Sequence, residues 1–557
     1  MTAPAALASE SVQRLSAQST EGAHNLVQSV DWMAIAPPAI AAVVALVVLV
    51  TDLFLEERHK PVLGWLATGG LALSGLAIVP LIGEDRSTFC LTSGNGACSY
   101  VADPFTLIIQ LLVLGGAFVT ALLSMTAVRD EGLPAGEFWF LLLSSASGAA
   151  LLPASRDLTT LVVALEVVSL PAFALVGLRR GRRLSSEAAL KFFLSSVTAT
   201  AVMLLGVSFV YAATGSMHLS TVAKGLPAAD SRLETLAATG VVLTLVGFAF
   251  KAGAAPFHFW VPETYVGAPV PVAAYLSVVG KAAGFTGLIL VTVRAFPSYA
   301  DLWGPALAVL AALTMSVGNL AALRQRADRP HSAVRLLAWS SVGQAGYLLV
   351  PIASAGYAGQ ADDPSAAIGA TVAYALMYAV VNLGAFAVVT AVRGATAADR
   401  ADGDADGADE GVTGHRLDDF RGLISARPLT ALAMGFFLLC LAGLPPGIVG
   451  LFAKVTVFGA AVDAGLGWLA VVMAVNVVIA LVYYLRWTAL LFRAADDGDR
   501  TADEGDRTGE TAAAGPRPRP RRLALPLTVT IALTGALALA ASGAPQLLLR
   551  FADTALF

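Results

Sequence analysis

The chain has 557 residues, of which 57% are hydrophobic and only 13% charged, and its mean hydropathy of +0.74 is far from the balance of a soluble domain. That composition excludes a soluble catalytic domain and identifies an integral membrane protein, in which the net charge of −4 matters less than where the charges lie. Three cysteines with no CxxC, no GxGxxG or P-loop pattern, and six scattered histidines exclude iron–sulfur, dinucleotide, nucleotide and metal sites in this chain.

The first 32 residues are Ala/Ser-rich with Arg14 as their only basic residue, so they lack the charged start of a signal peptide and read as an exterior tail. Apolar segments, each near the roughly 20 residues needed to cross a ~30 Å hydrocarbon core, then follow at 33–54, 62–83 and 104–127 (spans 1–3). Spans 4–8 fall at 137–154, 158–178, 188–213, 236–260 and 270–293; spans 9–13 fall at 302–323, 333–355, 366–392, 428–462 and 465–492; span 14 covers 523–549. The fold class is therefore an all-α polytopic membrane protein with about fourteen transmembrane helices. Span 12 would be ~52 Å long as one straight helix and contains LPPG at Leu444 to Gly447, so it must break or bend.

Most of the 35 Lys and Arg residues lie in loops after odd-numbered spans, RRGRR at Arg179 to Arg183 and RQRADR at Arg324 to Arg329 among them. By the positive-inside rule those loops are cytoplasmic and both termini face outward. Two stretches, 394–418 and 494–520, are low-complexity and strongly polar, and read as disordered cytoplasmic insertions. Cys90 and Cys98 share the exterior loop after span 2, where a disulfide and a pair of thiols are equally compatible with the sequence. Cys440, in span 12, reads as a small apolar residue.

Five charges interrupt the apolar spans: Glu166, Lys251, Lys281, Lys454 and, near the end of span 13, Arg486. Each would cost a few kcal/mol facing lipid, so each should face the bundle interior, pair, or line water. A lysine suits proton relay because burial disfavours its charged form and a nearby carboxylate restores it. Glu166 and Lys251 supply such a pair, Lys281 a relay 30 residues on, and Lys454 a terminal group. The competing reading is a static buried ion pair that only fixes helix packing, and it leaves at least two lysines without a carboxylate. Lys191, near the cytoplasmic end of span 6, fits either the path or a snorkelling position, and Arg486 fits an interfacial anchor. His258 could relay protons or brace a helix break, whereas Glu263 and Tyr265 fall in a loop and need no special role.

Lys251 is followed by Ala-Gly-Ala-Ala-Pro, where glycine and proline weaken the helix and free backbone carbonyls. LPPG and Lys454 repeat the device five spans later, and a shift by an odd number of helices inverts topology. Two inverted five-helix repeats are expected, spans 4–8 (137–293) and spans 9–13 (302–492), preceded by spans 1–3 (33–127) and followed by span 14 (523–550).

PFHFWVPETYVGAPVPVAAYLSVVGKAAG, from Pro256 to Gly284, closely resembles the motif of the antiporter-like membrane subunits of proton-pumping NADH–quinone oxidoreductase, respiratory complex I. LEVVSLPAFALVGL, EAALKFFL, RLLAWSSVGQAGYLLV and LAGLPPGIVGLFAKVTVF match the same family in order, over about residues 33–550. The tyrosine, the GAP-x-PV run and the Lys281 spacing favour its N type over the L and M types. The resemblance implies fourteen helices with two inverted repeats and broken helices 7 and 12. It also implies that Glu166 and Lys251 form a charge pair, that Lys281 is the central relay and Lys454 the outer-side relay, and that Lys191 joins the cytoplasmic side of the path. Many members carry histidine where this chain has Gln344, and often lysine where it has Val334. FMN, iron–sulfur clusters and quinone are implied for partner subunits and none for this chain.

The resulting expectation is a proton-translocating subunit of an NADH–quinone oxidoreductase in a bacterial cell membrane, with the bilayer and the complex's other membrane and peripheral subunits as partners and no nucleic acid. The alternatives are a subunit of a multisubunit sodium–proton antiporter and a structural membrane subunit that does not pump.

Overall fold

A computed structural model describes residues 30–91, 96–357, 364–401, 415–493, 523–546, 550 and 556. The expected exterior tail up to residue 29, residues 402–414 of the expected insertion 394–418, and the whole of 494–520 lie outside the described residues.

The apolar segments fold as helices because a bilayer offers the backbone no partner but itself. Among the described residues thirteen helical stretches are long and apolar enough to span: Trp32–Asp52, Glu57–Leu81, Pro104–Asp130, Ala135–Ala154, Leu158–Val176, Arg183–Thr214, Ser231–Gly267, Val270–Ala295, Pro297–Leu323, Ser332–Ala355, Ser365–Val392, Gly467–Phe492 and Leu525–Gly543. The remaining crossing, span 12, is made of two shorter helices, Pro428–Ala442 and Ile448–Asp463. Span 11 continues as helix to Ala401, so the chain stays regular into the segment expected to be disordered. Burial orders the bundle: spans 10 and 8 are 94% and 83% buried, whereas spans 1, 13 and 14 are at most 33% buried. Span 8, with Lys281, therefore runs through the centre.

Spans 7 and 12 both break, and in the same way. The first half-helix of span 7, Glu234–Ala252, ends at Gly253 with φ 72°, and that of span 12 ends at Gly443 with φ 83°. Only glycine adopts such left-handed backbone freely. A cis X–Pro bond follows at the same distance in each, Ala255–Pro256 and Pro445–Pro446. After the first break a short turn, Phe257–Phe259, leads into the half-helix Trp260–Gly267. This half-helix corrects the placement of Glu263 and Tyr265 in a loop. Pro262 reads as a breaker in sequence, but within the first turn of a helix its missing N–H removes no bond.

The purely helical expectation also misses one element. Residues Arg86–Cys90 (β1) and Cys98–Ala102 (β2) pair as an antiparallel hairpin, in the register Cys90↔Cys98 and Arg86↔Ala102. The hairpin ties together the ends of several spans. Thr88 Oγ1 accepts from Asp31 N at 3.1 Å, Tyr100 donates to the Ala34 carbonyl at 2.9 Å, and Arg156 N donates to the Ser99 carbonyl at 2.8 Å. Asp31, Asp103 and Asp157 N-cap spans 1, 3 and 5 beside it. The sequence left Cys90 and Cys98 open, and the structure joins them as a disulfide, leaving Cys440 as a buried thiol. Denatured without reductant, the protein should take up one alkylating label, at Cys440, and three after reduction, read by intact mass; uptake of three without reductant would refute the bridge.

Candidate functional site

Span 5 carries Glu166 and the first half of span 7 carries Lys251, and the bundle brings them to 3.2 Å. The Lys251 ammonium also donates to Ser169 Oγ and Ser196 Oγ, both at 2.8 Å, and Thr200 donates to Glu166 Oε1 at 2.8 Å. Lys251 is 7% exposed. Desolvating an ammonium costs several kcal/mol unless its donors are met, and here one carboxylate and two hydroxyls meet all three.

Lys281 is 1% exposed at the centre of span 8, and its ammonium donates to the Ser341 carbonyl of span 10. It sits against the break of span 7: a Cβ built on Gly253 would lie 3.9 Å from its Nζ. Beside it is a cavity of about 20 Å³, lined by Thr286, Thr371 and Tyr378 among apolar side chains. That is room for one water. The hydroxyls of Thr286 and Tyr378 are buried with no partner among the described residues, which gives such a water donors and acceptors.

A row of neutral polar groups continues from there. Tyr374, Tyr378 and Asn382 lie four residues apart on span 11 and are at most 3% exposed, so they form one buried stripe. Asn382 donates to Ser277 Oγ at 2.6 Å and Tyr374 donates to Gln344 Oε1. Gln344 in turn donates to Tyr484 at 3.2 Å, and Tyr484 shares a hydrogen bond with Ser340. The Tyr374 ring stacks on Tyr347 at 6.0 Å, and the Tyr347 ring lies 5.8 Å from Lys454 Nζ. None of these tyrosines was singled out from the sequence. The signal was the i, i+4 spacing of Tyr374, Tyr378 and Asn382 within an apolar run.

Lys454, 4% exposed, belongs to the second half of span 12. Its ammonium donates to the carbonyls of Leu441 and Ala442, at 3.0 and 2.7 Å. These are end-of-helix carbonyls that lose their intrahelical partners when the helix stops at Gly443. The break thus supplies what the buried cation needs. Among the described residues no carboxylate lies within 4 Å of Lys281 or Lys454, so a set of static ion pairs does not account for them.

One of the sequence-derived candidates, Lys191, stands apart from this set, and another, His258, borders it near Lys281. Lys191 is half exposed and pairs with Glu187 at 2.7 Å and with Glu263 at 3.5 Å, while Glu263 also reaches Arg335 at 3.7 Å. Glu263 therefore joins span 6 to span 10, a role its sequence position did not suggest. His258, in the turn after the first break, packs on Trp339 with ring centres 5.5 Å apart, and its Nδ1 has no partner among the described residues. Arg486 is exposed, as an interfacial anchor would be.

The family described as NADH:quinone oxidoreductase/Mrp antiporter, transmembrane, matches residues 155–480, which hold Glu166, all three buried lysines and both breaks. NADH-quinone oxidoreductase subunit N 2 of Streptomyces griseus is 66% identical over 535 residues, covering 96% of this chain and 96% of the relative. Subunit N of Salinispora tropica is 44% identical, covering 84% and 86%. Among solved structures, a chain of respiratory complex I from Thermus thermophilus superposes with TM-score 0.68 at 32% identity, over 92% of this chain and 98% of that one. A chain of the Mrp complex from Dietzia sp. gives TM-score 0.73 over 93% and 96%, but at 22% identity this likeness concerns the fold alone.

Proposed function

The chain belongs to the subunit N family of NADH-quinone oxidoreductases, and from that premise we propose that it carries protons across the cell membrane while partner subunits oxidise NADH and reduce quinone. Flavin, iron–sulfur and quinone chemistry belongs to those partners on this reading, and this chain contributes only acid–base groups. The observation that carries the proposal is the buried series Lys251, Lys281 and Lys454, with a row of neutral polar groups between the last two and, among the described residues, one carboxylate paired to the series, Glu166 at Lys251.

Each residue has a distinct part. Glu166 stabilises the charged form of Lys251, and its displacement releases the proton. Lys281 takes the charge past the break of span 7, and Lys454 passes it to the outer side. Gln344 cannot titrate, so a proton crosses that stretch on tyrosine hydroxyls or water. Lys191 with Glu263, at the RRGRR end of the bundle, serves uptake, and His258 braces the break against Trp339. The paired breaks, Gly253-Ala-Ala-Pro256 and Gly443-Leu-Pro-Pro446, support inverted repeats over 137–293 and 302–492, and the basic residues in the loops after odd-numbered spans support both termini on the exterior side.

The test is the complex purified from its native membrane through a tag on this chain and reconstituted in proteoliposomes. Lys281→Met and Lys454→Met should each lower proton uptake driven by NADH about tenfold, a barrier change of about 1.4 kcal/mol, with the complex still assembled. Proton-to-electron ratios equal to the parent in both variants would remove the relay assignment.

A further inference from the structure

A cavity of about 800 Å³ opens at the end of the bundle where spans 2, 4 and 14 begin and span 3 ends. Its charged lining comprises five basic and four acidic side chains, Lys60, Arg129, Arg179, Arg180 and Arg182 against Asp52, Glu57, Glu131 and Glu137. Most of these are already paired. Glu131 holds Arg179 in a two-pronged bond at 2.6 and 2.9 Å, and Lys60 is held by Glu57 at 2.8 Å and Asp52 at 3.5 Å.

Arg180 and Arg182 differ from the rest. The Arg180 side chain is 80% exposed and reaches Glu137 only at 3.6 Å, and among the described residues no carboxylate lies within 4 Å of Arg182. Gly181 between them has φ 78°, a left-handed turn that glycine adopts freely, and both arginines line the one cavity. Much of the remaining wall is apolar, with Trp65, Met125 and Pro526 in it. Trp65 is 56% and Leu525 70% exposed, which marks spans 2 and 14 as lipid-facing at this point. A second cavity of about 890 Å³, between the 226–234 segment and spans 8–10, has Glu234 and no Lys or Arg in its lining. Guanidiniums are therefore a property of this cavity and not of large cavities in this bundle.

We propose that the cavity binds one anionic phospholipid, its phosphodiester held by Arg180 and Arg182 and its acyl chains lying against spans 2 and 14. A guanidinium fork matches two phosphate oxygens, basic clusters at helix ends attract anionic headgroups, and tryptophan favours the headgroup level. The apolar part of the wall selects a lipid over a soluble phosphate. Nothing in this assignment depends on the proton relay.

The test uses the intact complex in nanodiscs of phosphatidylglycerol or of phosphatidylcholine, with tightly held lipid counted by native mass spectrometry. One phosphatidylglycerol per copy of this chain should survive washing, and the double variant Arg180→Gln/Arg182→Gln should lose that one molecule. Arg180→Lys/Arg182→Lys should keep part of it. Equal retention in the glutamine variant, or equal retention of phosphatidylcholine by the parent, overturns the site. Release of the lipid by inorganic phosphate alone would mark a soluble-anion site and overturn the lipid assignment. Should the glutamine variant fail to assemble on a native gel, the comparison of the two lipids on the parent complex decides.

Discussion

Lys251→Met is expected to stop proton movement through this subunit almost completely while the bundle still assembles. Methionine is close in length and fits an apolar position. Of the two hydroxyls it would leave behind, Ser169 already donates to the Leu165 carbonyl at 2.8 Å, while Ser196 loses the lysine as its donor. Glu166, with 23% of its side chain exposed, keeps Thr200 as a donor. The structural cost is then a buried acceptor or two left unmet, about 1–3 kcal/mol each. The functional cost is larger, because the group that carries the proton is gone.

Glu166→Gln should do less damage. A glutamine can still accept from Thr200 and from Lys251, so the geometry survives and only the carboxylate's hold on the charged lysine is lost. The two variants should therefore rank, with NADH-driven proton uptake falling more than about tenfold in Lys251→Met and by a smaller factor in Glu166→Gln. Equal uptake in both and in the parent would refute the pair's role. Equal loss in both would show that the carboxylate carries the proton as much as the lysine does.

The four central charges were legible in the sequence for a physical reason. A lysine inside VVGKAAG or GLFAKVT violates the apolar pattern, and a membrane chain tolerates the violation only at a cost. The breaks were legible because GAAP and LPPG each combine a helix-weakening glycine with proline. The polar stripe was not. Tyr374, Tyr378 and Tyr484 hardly disturb the hydropathy of their spans, and whether a tyrosine faces lipid or its neighbours depends on packing that no single span encodes. Glu263 was missed because its partners, Lys191 and Arg335, come from two other spans. The hairpin was missed because RSTFC and CSYVA are too short and too mixed to stand out between apolar runs, although their Thr, Phe, Tyr and Val suit strands.

The second large effect tests whether the break itself is part of the machinery. Gly450 lies in the second half of span 12, and a Cβ built on it would fall 1.7 Å from the carbonyl oxygen of Cys440 and 2.8 Å from its carbonyl carbon. Those are backbone atoms of the first half-helix, so the contact cannot be relieved by turning a side chain. Carbon and oxygen need nearly twice that separation, so Gly450→Ala must push the two halves apart. Lys454 is one turn further along the same half-helix, and its bonds go to Leu441 and Ala442, the residues next after Cys440. Separating the halves breaks both bonds while leaving the lysine chemically intact. Gly450→Ala should therefore destabilise the subunit by about 3 kcal/mol, at the upper end for an overpacked site, and depress proton uptake nearly as far as Lys454→Met. Gly459, on the same half-helix, has nothing within 4 Å of a built Cβ. Gly459→Ala should be neutral in pumping and gain about 0.5–1 kcal/mol in thermal stability, the ordinary preference of a helix for alanine. If Gly450→Ala lost stability but pumped at the parent's proton-to-electron ratio, the two carbonyls would be packing partners of Lys454 only. If it lost pumping in an assembled complex, with every titratable group still present, then the position of Lys454 against the broken helix, beyond its mere presence, is what lets it hand on a proton.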